Sequence, residues 1–207
     1  MKKLLHCGMA VAIAVLVAGL STTVASAARL SLSATTWRTA ISAMEFESET
    51  GTLRIRCPVT MSGSFAARTF TKTTERSIGS LTSATVAEAS CTGEGRVSVE
   101  APSLPTEIRY ESFTGTLPNI TAARFNMVPP RLINRYILFS RTYAPGVGDT
   151  RTIEQQREAG GNLISIRWIW RIPGIGTNNP LCPGFLVING MGAPRSAEGA
   201  TIRMTLI

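Results

Sequence analysis

The stretch AMEFESETGTLRIRCPVTMSGSF, Ala43 to Phe65, reads as a β-hairpin whose register can be derived from the side chains alone. Thr50-Gly51 is the turn, and counting outward sets Glu47 against Arg54, Phe46 against Ile55, Glu45 against Arg56 and Met44 against Cys57. Side chains alternate between faces along a strand. One face therefore collects Met44, Phe46, Leu53, Ile55 and Cys57, and the other collects Glu45, Glu47, Arg54 and Arg56. A slip by one residue would set Phe46 against Arg54 and lose the apolar face, so the pattern specifies the register. Thr is a poor residue for a turn that asks for positive φ, so the strands rather than the turn fix the pairing. Pro58 cannot donate to a ladder and marks an edge or a bulge.

The rest of the chain continues in this manner. Short alternating runs are separated by Gly, Pro, Ser and Thr turns, and no apolar pattern of helical period reaches a normal helix length after residue 27. Leu30 to Thr36, Ser80 to Cys91, Arg96 to Ala101, Thr106 to Phe113, Asn119 to Val128 and Asn162 to Ile172 read as strands. Ala67 to Glu75 reads as an edge strand or a loop. Arg131 to Tyr143 reads as one strand buried on both faces, and Thr150 to Ala159 as the one place where a short helix competes. Phe185 to Asn189 and Ala200 to Leu206 read as a final hairpin. The expectation is an all-β antiparallel β-sandwich of about ten to twelve short strands, with a β-barrel as the alternative. Alternation on most strands gives each sheet one wet face, which favours the sandwich.

The N-terminus has the organisation of a secretory signal. Lys2 and Lys3 precede an apolar region, Leu4 to Leu20, and Ala25-Ser26-Ala27 is a small-residue cleavage site. Residues 1–27 are expected to be removed, leaving a single all-β domain over 28–207, with Pro129-Pro130 as the place where a subdivision would fall. No later stretch is long and apolar enough to span a bilayer as a helix, so no membrane span is expected after cleavage. The expected location is secreted or associated with the cell envelope. Loss of Lys2 and Lys3 lowers the net charge from +8 to +6, and Lys72 is then the only lysine beside 18 arginines. Those arginines stand singly on alternating positions rather than in runs, which argues against a nucleic-acid partner.

Export permits disulfides. Cys57, Cys91 and Cys182 follow the signal and allow three single pairings. Cys57–Cys91 is favoured because both lie at strand positions and Cys57 is on the apolar face of the hairpin. Cys182 is then left over, buried or paired between chains.

The only histidine, His6, leaves with the signal, and Asp149 is the only aspartate. Imidazole-dependent triads and dyads, His-ligated metal sites and two-aspartate dyads are thereby excluded. No P-loop, dinucleotide fingerprint or Cys-x-x-Cys is present. No catalytic residue, metal or cofactor is assigned, and an enzyme is not expected. Two candidates remain. Glu45 and Glu47 share a face and could serve a carboxylate-only glycan hydrolase, although each faces an arginine. Trp168 and Trp170 share a face with Ile164, Ile166 and Ile172 and could stack sugar rings, although aliphatic neighbours usually mean core. Asn119-Ile120-Thr121 matches a glycosylation acceptor.

Several short motifs occur together: Cys57, Met61-Ser62-Gly63, the strand Ile78-Gly79-Ser80-Leu81-Thr82-Ser83-Ala84-Thr85, Cys91-Thr92-Gly93, Leu104-Pro105 and Phe125-Asn126-Met127. In this combination the segment resembles a group of uncharacterised secreted β-rich proteins from actinobacteria, in which two cysteines flank a G-x-[IL]-T-S-A-T strand. The resemblance implies an exported all-β domain, supports the Cys57–Cys91 pairing and implies no activity. The functional expectation is a secreted or envelope-associated non-enzymatic protein of structural or binding role. A carbohydrate or envelope-polymer binding module is the first alternative, with a cell-wall or surface polymer as partner.

Overall fold

The computed structural model describes residues 29–116, 119–137, 139–146, 151–157, 163–175 and 183–207. The expected signal segment and Cys182 lie outside the described residues. The hairpin forms from β2 (Thr36–Ser48) and β3 (Arg54–Phe65), with Met44↔Cys57, Glu45↔Arg56, Phe46↔Ile55 and Glu47↔Arg54 paired as the side chains require. The connection is wider than a two-residue turn. Ser48 N–H donates to Leu53 O, Gly51 N–H donates to Ser48 O, and Gly51 takes φ +71°. A four-residue loop centred on the same Thr50-Gly51 bond leaves the register unchanged and spares Thr50 the left-handed conformation. Farther along, Ser42 and Ala43 bulge opposite Pro58, because the pairing shifts between Ile41 and Met44. The missing N–H of Pro58 is thus placed where the ladder is already interrupted.

Four further strands extend this hairpin into a long antiparallel sheet: β5 (Ser77–Val86), β8 (Thr106–Thr116), β9 (Asn119–Met127) and β12 (Arg151–Arg157). On the other side of the hairpin lie β14 (Phe185–Gly192) and then β13 (Leu163–Ile175). β12 pairs with β9 along one edge and with β13 along the other. The pairings therefore form a closed cycle, β2-β3-β5-β8-β9-β12-β13-β14 and back to β2. The all-β antiparallel class is as expected. The large sheet is curled on itself instead of splitting into two facing layers, so the arrangement is the barrel alternative rather than the sandwich. Period-2 alternation is common to both, since each has one apolar and one wet face per strand.

Three pieces complete the fold. β1 (Arg29–Leu32), β4 (Thr69–Thr71) and β16 (Met204–Leu206) make a separate small sheet in the order β16-β1-β4. The expected final hairpin is corrected here: β16 pairs with β1, Leu206 opposite Leu30, while β14 joins β13 and β2. Arg131 to Tyr143 is also corrected. It is two strands, β10 (Leu132–Tyr136) and β11 (Ser140–Tyr143), paired as a hairpin. Ile137 stands 91% exposed at the bend, so an apolar residue occupies a turn that no Gly or Pro announces. β10 pairs with β7 (Gly95–Val99), and β11 pairs with the end of β13 at Gly174 and Ile175. β6 (Thr92–Gly93) lies against β3, and β15 (Pro194–Arg195) against β2. Thr150 to Ala159, the helix candidate, holds strand β12 instead.

One hydrophobic cluster runs from Leu30 to Met204. The hairpin's apolar face continues around the wall in register: Ile55, Phe46, Ile188 and Trp170 are successive cross-strand neighbours, and all four are buried. An eight-stranded ring is narrow enough for side chains to fill it.

Candidate functional site

The two indoles singled out in the sequence do not form a surface platform. Trp168 is 1% exposed and Trp170 3% exposed. They meet edge to face with centroids 5.3 Å apart, and a third indole, Trp37 of β2, lies 6.4 Å from Trp168. A sugar ring cannot reach them while the barrel is closed, so stacking on Trp168 and Trp170 is ruled out and both belong to the core. The register explains their accommodation. Trp37 is paired with Gly63 and Trp168 with Gly190, so each of these two indoles has a glycine as a cross-strand neighbour. A Cβ on Gly63 would lie 2.6 Å from the Trp37 ring and 2.2 Å from Ser80 O. The three indole N–H groups find no acceptor among the described residues.

Glu45 and Glu47 are on the outer face, where Glu45 is 2.7 Å from Arg56 and Glu47 is 2.8 Å from Arg54. The hydrogen bond that Arg54 donates to Glu47, with the charge of that carboxylate, holds the Arg54 guanidinium above its ordinary pKa. Glu49 is 2.5 Å from Arg171, whose guanidinium lies 3.5 Å above the Phe185 ring. Each of these carboxylates is thus paired with an arginine, as the cross-strand register requires of Glu45 and Glu47. Among the described residues no three His, Cys, Asp or Glu side chains gather as a metal site.

Cys57 and Cys91 form the disulfide. The pairing Ile55↔Gly93 and Arg56↔Thr92 between β3 and β6 makes Cys91 the next cross-strand neighbour of Cys57. A 3-10 turn, Glu88–Ser90, delivers Cys91 to that position.

The described residues form two depressions on the surface that bear on function. The first, of about 570 Å³, lies between β4 and β8 and is lined by Thr71, Lys72, Tyr110, Glu111, Ser112 and Phe113. Lys72 Nζ is placed 4.7 Å above the Phe113 ring. The second, of about 620 Å³, lies on the outer wall of β2, β3 and β5. Its floor is set by register: Arg38, Ser62 and Ser83 form one cross-strand row, and Ala40, Thr60 and Thr85 the next. The bulge at Ser42-Ala43 and a second bulge in the β3–β5 pair, between Ser62 and Gly63, give the row its concavity. Pro58, Ala87 and Met191 supply apolar margins. No acid lines this groove, and Arg38 has no charged partner among the described residues.

Arg38, Thr60, Ser62, Ser83 and Thr85 were not singled out in the sequence. The alternation Thr60, Ser62, Ser64 was visible, but its meaning depended on a β3–β5 register that the intervening β4 hides. Comparison with protein-family models, with curated proteins and with solved structures finds no match.

Proposed function

We propose that this is an exported, envelope-associated or secreted, non-enzymatic barrel protein that holds an extended, hydroxyl-bearing polymer in the groove on β2, β3 and β5. The observation that carries the reading is the groove itself. Three paired strands present Thr60, Ser62, Ser83 and Thr85 in two rows beside an arginine without an acid, flanked by apolar margins. Hydroxyls both donate and accept hydrogen bonds, so such rows match a polyhydroxylated chain at successive positions. Apolar margins suit the C–H faces of its units. Strand positions hold these groups in fixed rotamer wells, which limits the ordering cost of binding. Export is supported by the signal pattern at residues 1–27 and by the cross-strand disulfide. The barrel's outer faces carry Glu45, Glu47, Arg54 and Arg56 where a lipid-facing barrel would carry an apolar band, which supports an aqueous setting.

The test is binding of the exported chain to purified cell-wall polymers, followed by calorimetry. Ser62→Trp fills the groove floor from outside and should abolish binding while the unfolding temperature holds. Failure of every wall polymer to bind, or equal binding by Ser62→Trp, refutes the proposal.

A further inference from the structure

We infer that the groove selects an anionic polymer, and that a carboxylate or phosphodiester of that polymer sits between Arg38 and Arg195. This rests on the polymer-binding reading and names its ligand class. β15 pairs with β2 so that Arg195 is the direct cross-strand neighbour of Arg38. Both residues are exposed, and both side chains emerge on the same outer face beside the hydroxyl rows. Like charges directly opposite each other destabilise a sheet. Elsewhere Arg54 and Arg56 each stand opposite a glutamate, and where Arg96 stands opposite Arg135, Glu88 lies 3.2 Å from Arg135 and offsets the repulsion. Here neither arginine has a carboxylate in ion-pair range among the described residues, and the Arg195 guanidinium is oriented by donating to Thr201 Oγ1. Two adjacent guanidinium forks form a seat for one planar or tetrahedral anion, which each can grip with two N–H groups. The row Arg38, Ser62, Ser83 then leads from the anion seat into neutral hydroxyls. A chain alternating anionic and hydroxyl groups meets complementary groups along that line.

The experiment titrates the exported chain with polygalacturonate, with a glycerol-phosphate polymer and with neutral dextran, at low and high salt. Arg38→Gln and Arg195→Gln are compared with Arg96→Gln, which removes the same charge from β7. The expected result is anion-dependent binding that weakens with salt. Each of Arg38→Gln and Arg195→Gln should lose about tenfold in affinity, while Arg96→Gln binds as the parent does. The unfolding temperature of the two groove variants should stay level or rise, because a repulsive pair has been removed. The polygalacturonate and glycerol-phosphate arms identify which anion the seat takes. Equal binding of dextran and the anionic polymers, with Arg38→Gln unchanged, overturns the anion seat and leaves polymer binding standing. Equal weakening by Arg96→Gln reduces the effect to net charge and also overturns it. Absence of binding by all three polymers removes the polymer reading itself.

Discussion

The Cys57–Cys91 bond makes a quantitative prediction. The two cysteines are 34 residues apart in sequence, and both are buried. Closing a loop of that length removes chain entropy from the unfolded ensemble worth about 3.8 kcal/mol at room temperature. The closed segment contains most of β3, all of β4 and all of β5, so opening it frees a large part of the wall. For a domain of this size each kcal/mol moves the unfolding midpoint by roughly 2–4 °C. Cys57→Ala with Cys91→Ala should therefore lower the midpoint by about 8–15 °C in scanning calorimetry. Reduction of the parent protein should produce most of the same shift, and reductant should then leave the double variant unmoved. A shift below about 2 °C would refute the loop-closure reasoning. A count of three free thiols on the chain lacking residues 1–27, unreduced and denatured, would refute the bond.

Trp168→Ala should cost about 3–5 kcal/mol in urea denaturation, the usual range for emptying a buried aromatic site; a loss below about 1 kcal/mol would mean that the three-indole interior is loosely packed. Gly63→Ala should cost at least 1–3 kcal/mol, roughly the overpacking range, because its methyl would meet Ser80 O and the Trp37 ring at once. Glu107 accepts hydrogen bonds from Ser77 and then Arg109, which hold its carboxyl below the ordinary glutamate range. A carboxyl depressed in the folded state stabilises above its unfolded pKa and loses that contribution as pH falls through the folded one. Acid titration of the unfolding midpoint should accordingly show a smaller acid loss in Glu107→Gln than in the parent, and identical acid limbs would contradict the pairing.

The hairpin was legible because its information is local. Two strands joined by a short loop, with charges on one face and apolar groups on the other, have one register that satisfies both faces. The same locality put Ile108 and Tyr110 on one buried face of β8; the disulfide pair came out as expected although the strand read over Ser80 to Cys91 ends at Val86, and a 3-10 turn rather than a strand carries Cys91. What stayed hidden was non-local. Closure of the ring depends on β12 meeting both β9 and β13, and nothing in TRTIEQQREA records two partners. The bend inside Arg131 to Tyr143 had no turn residue, so its apolar run read as a single strand. The groove was hidden for the same reason, since Ser62 and Ser83 are neighbours only after β5 returns past β4.

The bulge opposite Pro58 divides the outer wall of β2 and β3 into two chemically different halves. Beyond it, toward the loop, Glu45 and Glu47 neutralise Arg56 and Arg54, so that half is electrically closed. Before it, Arg38 faces Ser62 on one side and Arg195 on the other, with no acid in either row. Both halves stand on the same buried face, which runs from Trp37 through Ile41, Met44 and Phe46, so packing demands do not account for the difference. Among the described residues the interior is lined by Trp37, Trp168, Trp170 and their neighbours, and the groove proposed to hold a polymer is on the outer wall. A wall that pairs its charges on one side of a bulge and sets two arginines face to face on the other has its unmet electrostatic demand at the groove. An anion supplied from outside satisfies that demand without disturbing a single contact of the core.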